Sequence, residues 1–319
     1  MKPLSVTTRL TILIVLAVAF GATMIALSVR TRSFDRSTNS VLGDDKKIER
    51  TFPVKSDGTL YLDSDVGNIS VVGTDKEELE VRVVATGSDE QLRKFDVSFD
   101  QTGNDVKVKG ELKRKHFGWF GDNWLDIQFE IRVPSSYNLS LRTSGGNIEI
   151  ENVKGKINGE TSGGNLDFTG LNGDVSMSTS GGNVTIKKSD GNFKLETSGG
   201  NMIAESITGP LHMETSGGNI DITGLDGKVD ASTSGGNVHA SLKSNKGVDL
   251  STSGGNISVK LPKTVTAHVK AEASGGDVTC DLEFSGRIKD GTMNGKINGG
   301  GELIKLETSG GDIIINSNE

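Results

Sequence analysis

The stretch "ETSGGNI", Glu214–Ile220, recurs in close copies along the second half of the chain. The Thr that opens "TSGGN" stands at positions 143, 161, 179, 197, 215, 233 and 252, with five steps of 18 residues and one of 19. Variants follow at Ala273 ("ASGGD") and Thr308 ("TSGGD"), and a degenerate copy, "LDSDVGNISV", begins at Leu62. A fixed period of this length marks a stacked-repeat architecture.

Alignment on the Thr shows what each copy builds. Four residues before it stand Leu139, Ile157, Val175, Phe193, Leu211, Val229 and Val248. Five residues after it stand Ile148, Leu166, Val184, Met202, Ile220, Val238 and Ile257. Further apolar columns lie two before and seven after, with Glu, Lys, Asp, Ser and Arg between them. This alternation with period two predicts strands with one buried face. Each unit therefore yields two short strands. "SGGN" turns the chain at one end and segments such as "TGLNG" (Thr169–Gly173) turn it at the other. Paired glycines suit such corners because they reach positive φ without steric cost.

The expected fold is all-β: a parallel β-solenoid of about ten coils, its strands about 4.8 Å apart. The Thr shares the parity of the apolar columns and should turn inward. Asn147, Asn165, Asn183, Asn201, Asn219, Asn237 and Asn256 should stack as a ladder, each amide bonding the next corner. One coil alone buries too little to fold, so neighbours must share faces. The solenoid is expected over residues 135–319. Residues 51–134, with alternating strands such as "LEVRVVA" and "LDIQFEIRV", should cap its N-terminal end, since an uncovered end is an unpaired edge. From Phe284 to Gly295 the pattern reads as an insertion-like loop ahead of a modified last coil.

The N-terminus has its own signal. Residues 1–9 form a short tail. "LTILIVLAVAFGATMIALSV", residues 10–29, is uncharged and long enough to span roughly 30 Å of hydrocarbon, so a single transmembrane helix acting as a signal anchor is expected. Residues 30–50 are polar and read as a flexible stalk reaching about 25 Å. The membrane is the partner this segment implies. The expected location is the cell membrane, single-pass, with the C-terminal domain extracytoplasmic.

Composition narrows the function. The chain has 319 residues, a net charge of −7, 43 glycines, one cysteine and four histidines. An acidic chain argues against nucleic-acid binding, which rests on neutralising phosphates. One cysteine excludes an intramolecular disulfide framework, and the histidines have no ligand spacing. No metal and no other cofactor is expected. "SGGN" leads into a strand, not a helix, so it lacks the anion-binding end of a phosphate loop. Calcium β-rolls need a nonapeptide with carboxylates, whereas this turn carries mostly Asn. An ice-binding plane is opposed by the outward Arg142, Glu160, Glu196, Glu214 and Glu307. No nucleophile–base or paired-carboxylate motif stands out. Cys280 falls in an apolar column and reads as a small core residue. The segment that does not repeat is "KRKHFGWFGDNWLD", Lys113–Asp126. Its His116, Phe117, Trp119, Phe120 and Trp124 make either a cap over the solenoid end or an exposed contact loop.

"IRVPSSYNLSLRTSGGNIEI", the serial "TSGGN" turns, "VKLPKTVTAHVKAEASGGDV" and "GKINGGGELIKLETSGGDIII" together resemble a known family. It is the bacterial membrane-anchored β-strand-repeat family labelled "putative adhesin", a domain of unknown function. The resemblance covers Lys55 to Asn316. It implies a cell-envelope surface protein and brings no catalytic residue with it. The expectation is a noncatalytic protein presenting a β-solenoid as an adhesion or interaction surface to an envelope protein or glycan, with self-association possible in principle. Alternatives are a structural or regulatory accessory of an envelope-stress membrane system, or a carbohydrate-active β-helix enzyme.

Overall fold

The computed structural model of the chain describes residues 44–113 and 125–318. They form 26 strands and one four-residue helix, Asp89–Leu92. In each repeat a strand runs up to the Thr, the "SGGN" corner follows, and a second strand leaves it. Leu211–Thr215 and Ile220–Leu225 are one such pair, with alternate side chains buried. Like residues stack on like. Thr215 pairs with Thr197 on one side and Thr233 on the other, and Ile220 pairs with Met202 and Val238, all in parallel register. Two ladders of strands result, one before the corners and one after, and the inward side chains of both fill one continuous core. Phe168 and Phe193 are among its largest members. Val184–Thr197 is a single 14-residue strand that passes through the far corner and belongs to both ladders. It bends there at Lys188 and Gly191, whose φ values are 49° and 152°.

The order of stacking departs from the order of sequence at both ends. Thr59–Ser64 and Asn68–Thr74 form a coil against Asn138–Thr143 and Ile148–Glu151. The outer side of that coil is covered by Asp105–Leu112 and Asp126–Pro134, again in parallel. Antiparallel strands finish this end: Phe95–Thr102 on the first ladder, then Glu78–Gly87 and Asp44–Pro53 on the second. At the other end the last coil of the sequence, Leu303–Thr308 with Ile313–Ser317, is not last in the stack. It lies between Val248–Thr252 with Ile257–Leu261 and Ala267–Ala273 with Val278–Cys280. The chain skips one level, builds the outer coil, and returns to fill the gap. Between these passes, Phe284–Lys289 and Thr292–Ile297 form an antiparallel hairpin that extends the first ladder.

These observations correct the expected fold class. A parallel solenoid led by a transmembrane helix is not what the described residues form. Their only helix has four residues, and none among them is long and apolar enough to cross a membrane. The expected helix at residues 10–29 lies outside the described residues. The fold is all-β with antiparallel strands at both ends of a parallel stack. Those strands replace further coils where the repeat stops, so that buried apolar columns are not left facing water. Asp44–Pro53 begins inside the segment assigned to a stalk, and the segment read as an insertion-like loop at Phe284–Gly295 is mostly strand.

The corner glycines also differ from expectation. Neither glycine of "SGGN" has positive φ. The second is required by close approach: a Cβ on Gly182 would lie 2.0 Å from the Gly164 carbonyl oxygen, and the same distance separates a Cβ on Gly200 from Gly182. The first is open, since a Cβ on Gly163 would meet nothing within 4 Å.

Candidate functional site

The corner residues spend their hydrogen bonds on neighbouring coils. The backbone N–H of each corner Asn donates to the side-chain Oδ1 of the Asn one coil earlier, at 2.8 Å from Asn165 to Asn147 and at the same distance from Asn219 to Asn201. Asn183, Asn201, Asn237 and Asn256 donate in the same way. Three rungs lie beyond the repeated "TSGGN" copies. Asn147 donates to Asn68, Asp312 donates to Asn256, and Asp277 donates to Asp312. Asn68 was legible in the degenerate copy, and the two Asp in the "SGGD" variants. A carboxylate oxygen accepts here as well as an amide oxygen does.

Every buried corner Thr donates to a glycine carbonyl of a neighbouring coil, and from Thr179 onward those hydroxyls also accept a bond from a glycine of their own corner. Thr197 Oγ1 donates to the Gly182 carbonyl of the preceding coil and accepts from its own Gly200 N–H. A buried hydroxyl needs such partners, and the corner provides both. This chemistry is internal, so the motif leaves little for a ligand.

Outward-facing residues on either side of the Thr make a different surface. The residue before it is Arg142, Glu160, Ser178, Glu196 or Glu214, and the residue after it is always Ser. Across five coils they line an open groove of about 560 Å³ along the corner. Serine hydroxyls form one wall and mainly acidic side chains the other, repeating at the coil spacing of about 4.8 Å. Ion pairs brace the acidic wall: Arg142 to Glu160 at 2.7 Å and Lys194 to Glu196 at 2.8 Å. The bond from Glu196 holds the Lys194 ammonium above the usual lysine range. The constant Ser after each Thr was the available signal for this groove, and it is hidden in sequence by its place within the structural motif.

Glu196, His212 and Glu214 each bring one ligand atom to within 4.8 Å of the others. An imidazole with two carboxylates is a donor set for a divalent transition ion. Here His212 Nδ1 lies 3.4 Å from Asp230, and Glu196 is engaged by Lys194, so the same geometry also serves a braced, solvated face. Among the described residues the groove places no serine within hydrogen-bond reach of a histidine base. Its chemistry is that of donors and acceptors at fixed spacing.

His116, Phe117, Trp119, Phe120 and Trp124 lie outside the described residues. Tyr137, not singled out by the repeat, is buried and donates to the Asn104 carbonyl. Burial pushes its phenol up to about 12.

No curated protein matches the sequence. Solved structures do match over most of the chain. One, described as a "putative adhesin" from Bacteroides fragilis, is 16% identical with a TM-score of 0.41, covering 86% of this chain and 100% of its own. Another with the same description, from Parabacteroides distasonis, is 13% identical with a TM-score of 0.48, covering 85% and 98%. A third, described as a "putative lipid binding protein" from the same species, is 14% identical with a TM-score of 0.30, covering 87% and 98%. The sequence profile of the Toastrack DUF4097 family matches residues 58–316, nearly everything from the first coil to the last strand. The chain belongs to the Toastrack DUF4097 family.

Proposed function

We propose that this protein is a noncatalytic interaction module of the cell surface whose corner groove holds an extended, hydroxyl-rich chain such as a surface glycan. The observation that carries the reading is the groove itself: one serine hydroxyl per coil across five coils, facing a second row in which Glu160, Glu196 and Glu214 stand among Arg142 and Ser178. A polymer with regularly spaced hydroxyls can meet such a row several times, and repetition multiplies weak contacts into useful affinity. The groove is polar and open, unlike the enclosed, mostly apolar pockets that suit small molecules. The repeated motif is consumed by coil-to-coil bonding, so the outward rows are where recognition can occur.

The test is a glycan array probed with the full chain, alongside a Ser180→Tyr/Ser198→Tyr variant. Both serines are exposed on the groove wall, so the substitution fills the groove without entering the core. The expected result is retention of at least one polysaccharide class and its loss in the variant. Absence of any glycan binding, or binding that the filled groove leaves unchanged, contradicts it.

A further inference from the structure

Both ends of the first ladder finish, among the described residues, on a strand with an unpaired outer side. Among the described residues, Phe95–Thr102 pairs only with Asp105–Leu112, and Phe284–Lys289 pairs only with Thr292–Ile297. Such an edge is a template for another strand. The two edges carry opposite charge. Phe95–Thr102 holds Asp96 and Asp100 and no base, while Phe284–Lys289 holds Arg287 and Lys289 and no acid. Strand alternation puts these four on the outer face, and all are exposed.

Each edge has inward apolar side chains that are incompletely covered. Ile288 is 38% exposed, and Val97 and Phe99 are only half-buried. The ends are also stepped. Beyond the outermost complete coil at the C-terminal end, the first ladder continues for two strands that the second lacks. At the N-terminal end the second ladder continues one strand further than the first, through Asp44–Pro53. The longer sheet of one end thus meets the shorter sheet of the other.

We infer that a second copy of this chain docks end to end, the Phe284–Lys289 edge of one molecule pairing antiparallel with the Phe95–Thr102 edge of the next. Direction follows from the pairings. Phe284–Lys289 runs with the parallel coils and Phe95–Thr102 runs against them, so two molecules stacked in the same orientation present antiparallel edges. Charge selects this partner over the others. Two acidic edge strands repel, as do two basic ones, which leaves head-to-tail contact. That contact is heterologous and open, so it generates a linear series and not a closed dimer. Within one molecule Asp96 is paired with Lys113 and Lys289 with Asp290. These are exposed ion pairs of little strength and they yield to the new partners.

Sedimentation velocity on the full chain tests this, with mild detergent for the apolar residues 10–29. The expected result is a concentration-dependent series of integer multiples of the monomer that shrinks at high salt. Arg287→Asp/Lys289→Asp makes both edges acidic, and Asp96→Lys/Asp100→Lys makes both basic. Each variant alone should associate at least tenfold more weakly, and an equimolar mixture should regain association in alternating stacks. Far-UV circular dichroism checks folding. If a charge reversal loses the β signal, Arg287→Ala/Lys289→Ala provides the same weakening without reversal. A full chain that stays monomeric at its highest concentration overturns the inference. So does association that the variants leave unchanged, or a mixture that remains monomeric.

Discussion

At the residue scale, the two glycines of one corner do different jobs. Gly182→Ala forces a Cβ onto the Gly164 carbonyl oxygen, and the coils must separate locally. The expected cost is about 3 kcal/mol or more, at the upper end of overpacking penalties. Gly181→Ala meets only ordinary contacts, the nearest at 3.9 Å, and should change stability by less than about 0.5 kcal/mol, as exposed positions usually do. Thermal melts of the two variants give the contrast directly. The inward parity of the Thr was legible in the sequence. The reason for the glycine was not, because the clash is between coils and one coil's pattern does not contain its neighbour. The Asn ladder makes a similar test: Asn201→Ala leaves the Asn219 N–H without its side-chain acceptor and should cost about 1 kcal/mol. Asn201→Asp should cost less, since Asp312 already fills the acceptor role. Asp249 adds a pH signature. Burial first, and then the nearby Asp230 and Glu307, raise its carboxyl despite Lys305. A raised folded-state value means that the native chain holds the proton more tightly than the unfolded chain. Stability therefore falls as pH rises from the ordinary Asp range, about 3.9, through the folded value, and the penalty is fully present above it. Asp249→Asn should raise the melting temperature at neutral pH, and the gain should vanish near pH 3. A gain of the same size at both pH values contradicts this account.

At the element scale, the strands of the central coils were legible because each one carries its own alternation and its own turn. The ends were not. The last coil in sequence sits one level inside the stack, between Val248–Leu261 and Ala267–Cys280. Every coil offers its neighbour the same edge, so local pattern is silent about which coil takes which place. The long interval between the last two corners was the only trace of it. The same silence hid the hairpin of Phe284–Lys289 and Thr292–Ile297, whose outer strand faces solvent on nearly every residue. Cys280 closes the outermost coil and lies half-buried at this end. Burial pushes its thiol above the ordinary range, which lowers the thiolate fraction and hence the reactivity. In the native chain it should react with a disulfide reagent at least tenfold more slowly than in urea. Equal rates would show that this outer coil is open in solution.

At the scale of the whole molecule, repetition supplies a scaffold and leaves specificity to what faces outward. The stack is held by contacts between adjacent coils, so its stability is approximately a sum of coil and interface contributions. The groove belongs to this scale, because no single coil contains it. Its residues were visible one at a time in the sequence, as the Ser after each Thr and the mostly acidic residue before it, but their alignment across five coils appears only once the register is known. The motif is a unit of stacking and not a set of separate sites, and excision of one whole unit puts this to the test. Removing residues 180–197 joins Thr179 to Ser198, restores "TSGGN" at the junction, and leaves every neighbouring column in phase. The account predicts a folded, cooperatively melting protein with its melting temperature lowered by only a few degrees, whereas removing residues 180–188 alone should abolish the transition. Loss of cooperative unfolding in the 18-residue excision, or survival of the 9-residue one, would contradict the claim.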